Sequence, residues 1–236
     1  YFIYAIQHAL FSMRAKIHGA TMQHITKKDF DSINILVPTI DQQLQISSIL
    51  SHIDKAIELQ ESRLNNLESF VKSQFNKLFG NPVLNEKKFP IFKVSDVIKF
   101  QGGSQPNKKY FEYTKTNNNI RLIQIRDYKT NKFATYIPKS MANRPCRSDD
   151  IMIGRYGPPI FQILNGLEGT YNVALMKAIP LKGEKEFIRS WLKQDCLRSF
   201  LESKSKRTAG QDGIQMDCLK DYPFPYPPLA LQQEWV

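Results

Sequence analysis

The sequence lacks paired cysteines, long apolar runs and any close grouping of metal-ligating side chains. Its three cysteines, Cys146, Cys196 and Cys218, are scattered and odd in number, which excludes a disulfide framework and gives no zinc-ligand spacing; reduced, buried thiols are expected. No apolar stretch approaches the roughly 18 to 20 residues needed to cross a bilayer, and no basic-then-apolar leader with a small-residue cleavage site is present. A cytoplasmic location with no membrane partner is therefore expected. The four histidines, His8, His18, His24 and His52, have no companion cysteine or carboxylate cluster, so they are expected at the surface or an interface, with no metal and no cofactor. The chain opens at Tyr1 within a segment already patterned as an amphipathic helix, and a processed, truncated or incomplete chain is expected.

Catalytic motifs are missing as well. QGGSQ (101–105) is a lone glycine pair, with neither the GxGxxG of a dinucleotide loop nor the GxxxxGK[ST] of a phosphate loop. RYGPPIF (155–161) is superficially similar to a polar-Pro-Pro-aromatic tetrad, but Gly157 replaces the polar residue and Ile160 the aromatic one, so the side chains that would hold a target amine are absent. Asp149 and Asp150 open a strand-like segment with no downstream Glu-x-Lys to complete a metal-nuclease triad, and they are expected to form an exposed acid pair in a turn. No enzyme is expected.

What the sequence does contain is a long heptad pattern. Between Gln42 and Phe79, Leu50, Ile57, Leu64, Val71 and Leu78 form one row, while Ile46, Ile53, Gln60, Leu67 and Gln74 form the other. Alternating steps of three and four put both rows on one seam of a helix of about 38 residues and roughly 57 Å. Asp41 is the expected N-cap, and Gly80, Asn81 and Pro82 the expected stop. An apolar seam on so long a helix needs a partner helix, and Gln60 and Gln74 within it would fix register at some cost. Past this helix, short apolar runs such as IRLIQI (120–125), DIMIGRYG (150–157) and NVALMKAIP (172–180) are separated by QGGSQPN, TNNN, KTNK and GPP, which reads as short strands and turns. Helical spacing returns from about Glu186 through Leu201. The predicted fold is α+β: a β-rich domain with C-terminal helices, plus one long coiled-coil helix.

The formal charge of +11 is unevenly placed. Residues 1–41 carry four basic and three acidic side chains, residues 42–80 four of each, and residues 81–236 hold 25 basic against 15 acidic. Confinement of the excess to the β-rich region suits a polyanion-binding face rather than a general solubility device. Its loops mix cations with amides and aromatics that can reach phosphates and base edges: Lys108, Lys109 and Tyr110; Arg126, Lys129 and Lys132; Arg144 and Arg147; Arg155 and Tyr156; and Lys204, Lys206, Arg207 and Gln211 around the glycine-rich TAGQDG. These residues are the candidate nucleic-acid-binding group.

An internal repeat organises the whole. At an offset of 189 residues Phe11 falls on Phe200, Ala20 on Ala209, Ile25 on Ile214, Phe30 on Leu219, Ile33 on Tyr222, Ile35 on Phe224 and Pro38 on Pro227. One inserted residue would then match Gln42 and Gln43 to Gln232 and Gln233. Residues 1–41 thus read as the end of a first domain, 42–80 as a helix, 81–230 as a complete second copy of the domain, and 231–236 as the start of a second helix.

These parts occur in a telling order: FKVSDVIKFQGGSQPNKKYF, IRLIQIRDY, RSDDIMIGRYG with GLEGTYNVALMKAIP, RTAGQDGIQMDCLKDYPFPYPPLALQQ, and the heptad helix after the first QQ. In that order they resemble the DNA-specificity subunit of type I restriction-modification enzymes. The resemblance implies two target recognition domains separated by two antiparallel spacer helices, the helix at 42–80 being the first spacer and the domain at 81–230 the second recognition domain. It implies a non-catalytic subunit that reads half of a bipartite double-stranded DNA site, sets spacing through its helix, and assembles with methyltransferase and restriction subunits. A homodimer through the unpaired seam of Ile46, Leu50, Ile53, Ile57, Leu64, Leu67, Val71 and Leu78 is a further expectation. Two other readings stay open at this point: the recognition portion of a fused restriction-modification enzyme, and a coiled-coil adaptor whose basic domain binds protein.

Overall fold

The structure, a computed structural model, describes residues 1–12, 26–32, 34–157, 159–208 and 211–236. It divides into two compact units, Tyr1–Val71 and Lys72–Val236. Among the repeat positions, Ala20, Ile25, Ile33 and Ala209 lie outside the described residues, as do His18 and His24.

The first unit comprises α1 (Phe2–Ser12), α2 (Lys27–Asp31) and most of α3 (Ile40–Phe79). The Tyr4 hydroxyl donates to Asp54 Oδ2 at 2.6 Å and fastens α1 to α3. Asp41 is not the cap of α3. The Gln42 backbone N–H donates to Thr39 Oγ1, and the Thr39 N–H donates back to Gln42 Oε1 at 3.1 Å, so Thr39-x-x-Gln42 is a reciprocal capping box that places Asp41 inside the first turn. At the other end Gly80 adopts φ +74°, and its N–H closes on the Asn76 carbonyl at 2.8 Å, a conformation that glycine enters without steric penalty.

The second unit takes up the last turns of α3 and continues through β1 (Ile91–Lys93), α4 (Val94–Val97), β2 (Ile98–Gly102), β3 (Asn119–Ile123), β4 (Thr135–Pro138), β5 (Pro145–Cys146), β6 (Ile151–Gly154), β7 (Gln162–Asn165), β8 (Gly169–Tyr171) and β9 (Leu175–Pro180). Then follow α5 (Lys185–Leu192), α6 (Asp195–Lys204), β10 (Lys206–Thr208), β11 (Gln211–Gly213), α7 (Met216–Lys220), β12 (Pro223–Pro225) and α8 (Leu229–Glu234). One four-stranded sheet runs β2-β9-β6-β7, all antiparallel; the other runs β4-β3-β8-β5 and contains one parallel pair, β3 with β8. Strand β6 explains the layering, because its side chains alternate between two cores. Ile151 and Ile153 join Phe187, Trp191 and Leu192 of the helical layer, whereas Met152 joins Ile123, Cys146 and Tyr171 between the sheets. A strand buried on both faces must be apolar at successive positions, which is why IMI carries no polar residue. The expected α+β class, with helices following the strands, is borne out.

Helix α3 enters the same core at its C-terminal end. Phe75 and Phe79 are buried against Phe187, with ring centroids 5.8 and 4.7 Å away, and Trp235 packs edge-on at 5.4 and 6.0 Å. The acid pair departs from expectation. Asp149 is exposed and paired with Lys185, but Asp150 is half-buried on Lys177 at 2.6 Å. The thiols also differ: Cys146 is buried, while Cys196 and Cys218 are half-buried.

The repeat survives at the level of hydrogen bonds, with one change of alignment. Gln43 Nε2 donates to the Pro38 carbonyl at 2.8 Å, and Gln232 Nε2 donates to the Pro227 carbonyl at 2.7 Å, each across five residues. Helices α3 and α8 also begin at equivalent positions, Ile40 and Leu229. The equivalence thus pairs Gln43 with Gln232 and needs no inserted residue.

Candidate nucleic-acid interface

Register brings distant loops to one end of the two sheets. Strands β2, β3, β6 and β8 all finish there, while β4, β5, β7 and β9 begin there, because Leu122 pairs with both Thr135 and Thr170, Gly154 with Gln162 and Leu175, and Gly102 with Met176. The loop after β2 is fixed to this end by three backbone contacts. Gly103 N–H donates to the Leu175 carbonyl at 3.0 Å, Ser104 N–H to the Tyr171 carbonyl at 3.1 Å, and the Gly102 carbonyl accepts from Arg144 Nε at 2.9 Å. Gly103 is required by packing, since a Cβ there would lie 1.9 Å from the Asn172 carbonyl oxygen. Below the loop, the Tyr171 hydroxyl donates to the Gln101 carbonyl at 3.2 Å, and burial pushes this phenol up to about 12.

Most of the sequence-predicted cations gather here. Lys108, Lys109 and Tyr110 form an exposed single turn that Asn107 caps by accepting from the Lys109 N–H, and the Lys109 ammonium lies 4.9 Å from the Tyr110 ring centre. Arg126 follows β3, where its guanidinium reaches Thr135 Oγ1 at 3.2 Å and the Phe133 carbonyl at 3.3 Å; Lys129 and Lys132 extend the same exposed loop. Arg155 leaves β6, stacks its guanidinium 5.2 Å from the Tyr156 ring centre and donates to the Val173 carbonyl at 3.4 Å. Tyr156 in turn bridges to Gly213, which attaches the β10–β11 hairpin to this end, and Lys204 closes α6 just before that hairpin. The side chains of Lys206, Arg207 and Gln211 lie outside the described residues.

Two residues of the predicted group behave differently. Arg144 is half-buried and donates from Nε to the Gly102 carbonyl and from Nη1 to the Asn143 carbonyl, which ties it to the loop after β2. Arg147 stands at the opposite end of β6, beside Asp149, Asp150 and Glu168, where the Ser148 N–H donates to Glu168 Oε1. Lys185 beside Asp149 holds that carboxyl below the usual carboxylate range. The two ends of the β-rich layers therefore differ in charge, cationic at the converging loops and mixed with acid at the other.

Sequence reasoning passed over Gln101, Gln105 and Asn172. Their signal is relational: Asn172 is nine-tenths buried and directs Nδ2 to Gln105 Oε1 at 3.5 Å across 67 residues, a pairing without local periodicity. The predicted seam, by contrast, is an array. Ile53, Ile57, Leu64, Leu67 and Val71 are exposed on α3, Ile46 and Leu50 are half-buried in the first unit, and Leu78 packs on the core of the second.

Comparison with known proteins gives a consistent picture. Residues 1–69 match the family described as Type I restriction modification DNA specificity domain. The Type I restriction enzyme MjaVIII specificity subunit of Methanocaldococcus jannaschii is 24 % identical over 181 residues, covering 68 % of this chain and 41 % of that protein. In fold, the chain is similar to the S subunit of a type I restriction-modification system from M. genitalium, with TM-score 0.54, 17 % identity, and coverage of 98 % of this chain and 62 % of that one. It is likewise similar to the HsdS subunit from Thermoanaerobacter tengcongensis, with TM-score 0.51, 16 % identity, and coverage of 94 % and 55 %. The chain thus spans 41 % of the curated relative and little more than half of the solved chains. The resemblance drawn from the sequence is borne out.

Proposed function

From this kinship with the specificity subunits of type I restriction enzymes, we propose that the chain is a non-catalytic, sequence-specific reader of double-stranded DNA that recognises one half of a bipartite site. The convergence of Lys108, Lys109, Arg126, Lys129, Lys132 and Arg155 on loops at one end of two sheets carries the reading. Lysines held on single turns suit phosphate oxygens, whereas a guanidinium stacked on an aromatic ring suits a base edge in the major groove. We assign residues 81–230 to the recognition domain, 42–80 to a spacer helix and 1–41 to the end of a first domain. In the cytoplasm the chain would work with methyltransferase and restriction subunits, the helix acting as ruler between half-sites.

The exposed seam supports a second proposal about partners. Antiparallel self-pairing centred on the exposed stretch Ile53–Val71 sets Ile53 of one copy opposite Val71 of the other, Ile57 opposite Leu67 and Gln60 opposite Leu64. That arrangement also brings the edge of Asp54, Glu61 and Glu68 against its own copy, so a homodimer would carry a like-charge penalty that salt relieves.

The DNA reading is tested by the salt dependence of duplex binding. Wild-type affinity should fall linearly on a double-logarithmic plot, with a slope of about 0.9 per phosphate neutralised. Replacing Lys108, Lys109, Lys129 and Lys132 together by alanine should flatten that slope, while Arg147→Ala should leave it unchanged. A slope indifferent to the four lysines would contradict the interface.

A further inference from the structure

The loop after β2 is built more rigidly than phosphate binding requires. Its backbone is fixed at Gly102, Gly103 and Ser104, and at Gly103 the chain packs so closely on Asn172 that no side chain fits. Two residues on, the exposed Gln105 has a prescribed orientation. Its Oε1 accepts from Asn172 Nδ2 at 3.5 Å, and its Nε2 donates to the Pro106 carbonyl at 3.3 Å. Asn172 is itself fixed, because its N–H donates to the Ile123 carbonyl at 3.0 Å and its Oδ1 accepts from Ala174 N–H at 3.2 Å. After these contacts the Gln105 amide retains one oxygen lone pair and one N–H, on an exposed residue of a loop that leads into Lys108 and Lys109.

That remaining pair is the complement of the adenine major-groove edge, which offers an N6 donor beside an N7 acceptor. We infer that Gln105 reads an adenine in the target half-site through both atoms of its amide, with Asn172 as the positioning residue that fixes which atom is presented where. The inference rests on the DNA-reading role proposed above. Gln105 approaches the groove from a loop whose own lysines hold the flanking phosphates, so orientation and register come from the same segment. An amide free to rotate would serve thymine and cytosine edges as well as adenine; the Asn172 contact removes that freedom.

The test is selection from a randomised duplex pool with the 236-residue chain and with Gln105→Ala and Asn172→Ala, sequencing what each retains. Wild type should enrich a motif with a fixed A, and Gln105→Ala should relax that position alone by roughly 5- to 150-fold, the range for loss of one bidentate pair. Asn172→Ala should relax the same position while its affinity for random duplex and the salt slope stay at wild-type values, a pattern that a purely structural role would not give. A Gln105→Ala motif identical to that of wild type would overturn the inference and leave the DNA-reading role standing. A flat wild-type profile would overturn both.

Discussion

Arg155 illustrates how one side chain acquires a role from its surroundings. It leaves a strand buried on both faces, so its backbone has little freedom, and Tyr156 and the Val173 carbonyl restrict the guanidinium further. A preorganised planar fork is suited to guanine O6 and N7 more than to a phosphate. Arg155→Ala is therefore expected to weaken binding of the selected duplex by roughly 5- to 150-fold while affecting random duplex little, as measured by fluorescence anisotropy. Equal losses on both would make Arg155 a phosphate contact. At this scale the sequence was informative about residue type and silent about employment. Arg144 and Arg155 look alike in a string of letters, yet one donates to the Gly102 and Asn143 carbonyls and the other to the Val173 carbonyl beside the Tyr156 ring. Gln105 and Asn172 were invisible because their contact joins positions 67 residues apart.

Among the elements, α3 was the most legible, because a heptad repeat is local and its period alone defines a face. Its start was misplaced by two residues, since Asp41 is as good a cap by type as Thr39, and the choice depends on the reciprocal Gln42 contact. The seam is the element's unfinished surface, with Ile57, Leu64 and Leu67 between 52 % and 62 % exposed. Charges placed there should abolish helix pairing: Ile57→Asp with Leu64→Asp should shift any self-associated species to monomer in analytical ultracentrifugation, while α3 itself persists in circular dichroism. For wild type, raising the salt concentration should strengthen self-association, because the facing Asp54, Glu61 and Glu68 edges repel less when screened. An association state indifferent to both the aspartates and salt would exclude the seam as the pairing surface. The strands were legible as short apolar runs, but their order was not, since β2 pairs with β9 and β6 with both β7 and β9 across wide sequence gaps.

For the molecule as a whole, the excess of positive charge in 81–236 pointed to a polyanion-binding region without saying where on it the cations meet. Sheet register supplies that answer, gathering loops from five separate parts of the chain at one end and leaving Arg147 among carboxylates at the other. The repeat joins the scales, since the same Gln-to-Pro contact marks the start of α3 and of α8. The central claim is that this one end reads a fixed DNA sequence. Its most direct test is the identity of duplexes that the wild-type chain retains from a fully randomised pool at physiological salt. The account predicts enrichment of one short, fixed motif; retention proportional to the starting pool, with no base preferred at any position, would contradict it.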